Sequence, residues 1–179
     1  MIIQPVWRRS GLRFGESESN MARRRYDDVE LAGEARTEAL QRCRRQIAGW
    51  NLQMPRGRPL VLDFGLGEFE KTGLIEFWVA NEPDAGYCGK FLFVFDGQTC
   101  PYHHHNVKHE TFFVLKGAVR MKVNGKACRL REGDSLAMLP GTKHSFQGDG
   151  PALLLEVSQP SVRGDNFFCD KRVAGTGVI

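Results

Sequence analysis

At 179 residues, 41% hydrophobic and 26% charged, the chain is long enough to bury the core of one domain, and its composition excludes a disordered or fibrous protein. The net charge of +4 is modest, and no stretch approaches the roughly 18 consecutive apolar residues that a membrane span requires. Residues 1–26 read as a flexible basic arm. "MIIQPVWRRSGLRFGESESN" lacks the apolar core and cleavage site of a secretory signal, Glu16 and Glu18 argue against a transit peptide, and Met21 is an alternative start. The arginines that follow are interleaved with Asp27, Asp28, Glu30, Glu34 and Glu38, the pattern of a solvated helix face rather than a nucleic-acid surface.

Residues 27–59 are expected to form a helix and a connector. Val29, Ala32, Ala35, Ala39, Cys43 and Ile47 recur at three-to-four spacing, Asp27 or Asp28 is placed to cap the start, and Gly49 to end it. Pro55, Gly57 and Pro59 then lead into residues 60–179. There, short stretches rich in Val, Leu and Phe alternate with turns such as Asn124-Gly125, and no helical segment separates them. That texture predicts an all-β barrel with the helix packed against it, the whole forming one domain. Five scattered cysteines without C-x-x-C spacing read as buried reduced thiols in a cytoplasmic protein.

Four of the five histidines lie in "PYHHHNVKHETFFVLKG", Pro101 to Gly117. On a strand, alternate side chains share a face, so His103 and His105 point the same way and His104 the other. Glu110 opens the next strand, where Phe112 shares its parity. In "GDSLAMLPGTKHSF", His144 begins a strand beyond the Pro140-Gly141 turn. His103, His105, Glu110 and His144 thus form a mixed nitrogen and oxygen donor set suited to Mn, Fe, Co, Ni or Zn. His104 and His109 read as solvated.

The spacing from Gly97 through His103, His105 and Glu110 to Gly117, followed by Gly133, Gly141 and His144, resembles the cupin family of small jelly-roll barrels. The first cupin motif, G-x5-H-x-H-x(3,4)-E-x6-G, matches throughout. The second departs where Leu139 holds the proline slot and where Gly148 replaces an asparagine.

Beyond those motifs, "LVLDFGLGEFEKTGLIEFWVANEPDAGYCGKFLFVFDGQTCPYHHH" and "LLLEVSQPSVRGDNFFCD" resemble the D-lyxose ketol-isomerase family of cupins over roughly residues 35 to 172. The likeness departs in a short span between Gly117 and Gly133 and in the ending Gly164 to Asp170. It implies a metal-dependent aldose–ketose isomerase converting D-lyxose to D-xylulose or D-mannose to D-fructose through a metal-stabilised cis-enediolate, with manganese as the foremost ion; separately, the barrel's edge strands and the N-terminal helix lead us to expect a homodimer.

Such chemistry needs a proton carrier. Glu156 interrupts the apolar strand "ALLLEVS", and an inward carboxylate in a dry barrel is expected to have a raised pKa. Lys90 is the candidate cation for an oxyanion or hydroxyl, Lys108 and Asp170 are candidate hydroxyl contacts, and Trp78 or Phe112 a candidate floor for the sugar. Asp63, Glu68 and Glu70 read as turn residues. The alternatives are an Fe(II)-dependent cupin dioxygenase, which needs no proton carrier, and a non-catalytic sugar-binding cupin. No nucleic-acid or membrane partner is expected.

Overall fold

The strand-forming stretches fold as two facing antiparallel sheets, described for residues 26–179 in a computed structural model. The expected arm therefore lies, apart from Tyr26, outside the described residues. One sheet runs β1 (Leu60–Leu62), β2 (Leu74–Glu82), β3 (Tyr87–Val94), β10 (Ala152–Ser158), β5 (Glu110–Lys116), β8 (Ser135–Met138). The other runs β11 (Phe167–Phe168), β4 (Thr99–His104), β9 (His144–Gly148), β6 (Ala118–Val123), β7 (Lys126–Arg131). β6 and β7 form a hairpin across Asn124-Gly125, whose φ angles of 46° and 83° suit the primed turn that an Asn-Gly pair favours.

Two apolar layers hold this together. Between the sheets lie Leu92, Phe112, Val114, Met121, Phe146 and Leu154, all buried. Outside the six-stranded sheet, α1 (Gly33–Gly49) lays Ala39, Leu40, Cys43 and Ile47 on Ile75, Phe77, Phe93 and Leu153. This double cover explains the leucine run of β10. Ala152, Leu154, Glu156 and Ser158 face the barrel interior, while Leu153 faces the helix, so apolar residues occupy both parities.

The helix begins six residues later than its periodicity suggests, and neither Asp27 nor Asp28 caps it. Its N-cap is Ala32, with no side-chain hydrogen bond. The preceding residues instead pair with β1: the Leu31 amide donates to the Val61 carbonyl at 2.7 Å, and Glu30 bridges Leu62. Val29 is buried in the barrel core rather than on a helix face, and Gly33, at φ 63°, turns the chain from this extended segment into α1. Tertiary pairing has overridden a weak local cap.

Gly148, the cupin-motif departure, has a steric cause. A Cβ there would collide with the Phe95 carbonyl oxygen and come 2.7 Å from that of Gly150. The close approach lets the Gly148 amide donate to Gln98 and its carbonyl accept from Gly97, tying the end of β9 to the turn before β4. Of the cysteines, Cys43, Cys88 and Cys100 are buried and Cys128 and Cys169 exposed, all as free thiols.

Candidate active site

Three strands deliver the donor set. His103 on β4 lies directly across from His144 on β9, His105 follows the end of β4, and Glu110 opens β5. All four side chains are buried, and one donor atom from each lies within 4.8 Å of the others. His103 Nδ1 lies 2.8 Å from the Pro101 carbonyl, His105 Nδ1 2.8 Å from that of Asp165, and His144 Nδ1 3.0 Å from that of Thr142. A carbonyl can only accept, so each Nδ1 carries the proton and each Nε2 presents a lone pair.

The Nε2 atoms of His105 and His144 lie 3.2 and 2.9 Å from Glu110 Oε1, yet all three atoms are buried without a hydrogen-bond partner. Lone pairs facing lone pairs in a dry interior are costly unless a cation sits among them. Three imidazoles oriented by backbone carbonyls, with one carboxylate, fit a divalent metal ion. Burial, with His144 and His105 adjacent, pushes His103 well below its ordinary pKa and keeps it neutral, as a ligand must be.

A ladder of alternating charge leads away from this centre along the inner face of the six-stranded sheet. Lys108 Nζ lies 2.7 Å from Glu110 Oε2 and 3.0 Å from Glu156 Oε1. Lys90 Nζ lies 3.4 Å from Glu156 Oε2 and 3.1 Å from Glu76 Oε1, and the Trp78 indole donates to Glu76 Oε2 at 2.9 Å. Strand register builds the ladder: Trp78 pairs Lys90, Lys90 pairs Glu156, and Glu156 pairs Phe112 on adjacent strands. Glu76, Glu110 and Glu156 against Lys90 and Lys108 leave an excess negative charge in a buried pocket, a second reason that the donor set suits a cation.

Glu156 faces inward, as expected, but its predicted pKa direction is wrong. Burial alone would raise the carboxyl; Lys108 and Lys90 outweigh burial and hold it below its ordinary value, as an ionised carboxylate. The same exchange raises Lys90 well above its ordinary value, where burial is overcome by Glu156 and Glu76. Lys108, 4% exposed, is a bridge between two carboxylates rather than a surface charge. Trp78 and Phe112 both line the pocket, Trp78 half-buried and Phe112 fully.

Asp170 does not reach the pocket. It is half-exposed and bound by its neighbour Arg172, because the chain turns outward after β11. His104 points away from the donors, but it is half-buried under Phe167, with ring centroids 5.3 Å apart, rather than freely solvated; His109 is exposed. Asp63 caps its own turn through the Gly65 amide, and Glu70 pairs with Arg42.

Sequence reasoning missed Glu76, Ser158 and Asp165. Glu76 carried a usable signal, since in "LIEFWVA" it interrupts an apolar strand just as Glu156 interrupts "ALLLEVS". Ser158, donating to Glu156 Oε1 at 2.9 Å, and Asp165, in a loop, carried none. The pocket is closed further by Phe168, stacked on His103 with centroids 5.0 Å apart, and by Asn166, Ile179 and Tyr26.

Known proteins share this arrangement of chain. A cupin-domain profile matches residues 92–158 and a D-lyxose isomerase profile residues 30–121. A D-lyxose/D-mannose isomerase of Thermosediminibacter oceani is 35% identical over 141 residues, covering 63% of this chain and 77% of that protein. A D-lyxose ketol-isomerase of a Thermofilum species is 31% identical over 173 residues, covering 80% of this chain and 94% of its own length. Among solved structures, the L-ribose isomerase of Cellulomonas parahominis superposes with a TM-score of 0.70 at 16% identity, over 84% of this chain and 98% of that one, a likeness of fold. With its cupin barrel, its buried donor set and these relatives, the chain belongs to the D-lyxose isomerase family and is a sugar isomerase.

Proposed function

We propose that the protein interconverts D-lyxose and D-xylulose, with D-mannose and D-fructose as the related pair, and that Glu156 carries the proton between C2 and C1 of the sugar. The observation that supports this reading best is the position of Glu156: a buried, ionised carboxylate, one lysine away from the donor set and open to the same pocket. His103, His105, Glu110 and His144 would hold the ion, for which manganese is our choice. When bound, a divalent cation supplies Lewis acidity toward a carbonyl and its neighbouring hydroxyl.

Glu156 begins the reaction as the base, because Lys108 and Lys90 keep it unprotonated at neutral pH. It accepts the C2 proton, which exchanges with solvent on the carboxyl group, and delivers a proton to C1 of the enediolate from the same face, while the O2 hydroxyl proton passes to O1. Lys90, clamped between Glu76 and Glu156, cannot readily surrender a proton, so its role is that of a fixed cation and hydroxyl donor. Lys108 presents the same character next to Glu110. Trp78 and Phe112 offer apolar faces to the sugar's C–H groups. The cavity among these side chains measures about 50 Å³, room for a few waters.

Exposed Val79, Tyr87 and Val157 on the outer face of the six-stranded sheet support a homodimer as part of this proposal, and the free thiols support a reducing cytoplasm. The test is incubation of manganese-loaded protein with a panel of aldopentoses and aldohexoses in D2O. Ketose formed from D-lyxose or D-mannose with deuterium taken from solvent is the expected result; no ketose from any aldose refutes the function, and ketose without deuterium refutes solvent-exchanging proton transfer by Glu156.

A further inference from the structure

Asp165 lies in the loop between β10 and β11 and is 6% exposed. Its carboxylate gathers three successive backbone amides: Oδ1 accepts from Asn106 at 2.8 Å and Val107 at 3.1 Å, and Oδ2 accepts from Lys108 at 3.0 Å. Its own carbonyl accepts the His105 Nδ1 proton at 2.8 Å. Every one of these bonds ends on residues 105–108, the short link between the strand bearing His103 and the strand bearing Glu110. Gly141 supports the same link from the other side, its amide donating to the His105 carbonyl at 2.6 Å.

Three amides converging on one carboxylate force the chain to turn directly after His105. The turn has two chemical consequences. It fixes the His105 tautomer and the direction of its Nε2 lone pair, and it swings Lys108 back so that Nζ reaches both Glu110 and Glu156. Without these bonds the link would lose the backbone contacts that aim both side chains.

We propose that Asp165 is a positioning residue of the metal centre, locking His105 in its ligating orientation and Lys108 between Glu110 and Glu156. Asp165 touches neither ion nor sugar; it acts through the residues it orders. The C-terminal loop is thereby built into the site, joined by Phe168 on the His103 ring.

The test compares full-length D165A and D165N with the parent protein, reading amide hydrogen exchange of residues 105–109 in the metal-free state, Mn2+ affinity by calorimetry, thermal stability, and kcat and KM separately. For D165A we expect faster exchange at 106–108 and Mn2+ affinity weakened about tenfold to a hundredfold, the usual effect of losing a partner of a metal ligand. We expect kcat to fall more than KM rises, because Lys108 is displaced from Glu156. D165N keeps an acceptor for Asn106 and Val107 but places an amide group opposite the Lys108 amide, so it should fall between. Parent-like exchange and Mn2+ affinity in D165A would overturn the proposal. Should D165A fail to fold, parent-like values in D165N would overturn it instead. Exchange and ion affinity are independent of the sugar, so a failure of the isomerase reading would leave this test standing and separately decided.

Discussion

Replacing Glu156 with glutamine removes a charge at nearly constant shape, which makes its consequences calculable. In the native site Oε1 accepts from Lys108 at 3.0 Å and Ser158 at 2.9 Å, and Oε2 faces Lys90 at 3.4 Å. The glutamine carbonyl can keep the first two bonds, while its NH2 group meets the Lys90 ammonium without a bond. Lys90 retains Glu76 at 3.1 Å and Lys108 retains Glu110 at 2.7 Å, so neither lysine is stranded. The stability cost should therefore stay at or below about 3 kcal/mol, the lower end for breaking a buried ion pair. Catalysis has no such reserve, because an amide accepts no proton. The loss of a positioned base is expected to lower kcat by about 10²–10⁴-fold, equivalent to about 3–5 kcal/mol in the barrier. The assay is ketose formation from D-lyxose with solvent deuterium uptake, alongside metal content and a thermal melt. A folded, metal-replete variant with activity within tenfold of the parent would refute the assignment of Glu156 as base.

The same ladder predicts a pH effect. Lys108 and Lys90 together hold Glu156 below its ordinary carboxylate value, so Lys90→Met should raise its pKa, and the acid limb of kcat should move to higher pH; a limb that stays in place would remove Lys90 from this role. Gly148→Asn, which restores the usual cupin residue, should destabilise the fold by about 1–3 kcal/mol in urea denaturation, because the new Cβ meets the Phe95 backbone carbonyl. A parent-like midpoint would contradict that steric account.

Much of this protein could be read along the chain. The alternation of strands, the Asn124-Gly125 hairpin and the spacing of His103, His105, Glu110 and His144 are short-range features, set by a two-residue period and by turn chemistry that operate within a few positions. Even the direction of His104 followed from parity. The start of α1 did not, because Val29 to Leu31 had a choice between a helix and a strand partner, and only β1 brought alongside could decide it. The electrostatics were likewise hidden. Lys90, Lys108 and Glu156 were each visible as charged residues in or near apolar strands, but Glu156 meets Lys108 across 48 positions of sequence and Lys90 across 66. Which carboxylate faces which ammonium depends on β10 inserting between β3 and β5 in one register, and a one-residue slip of β10 would turn Glu156 to the other face, away from both lysines. Local chemistry therefore named the donors and the fold, while only the tertiary structure, through strand pairing and the loops it carries, decided that Glu156 is ionised, that Lys108 is buried, that Glu76 completes the ladder and that Asp170 stands outside it.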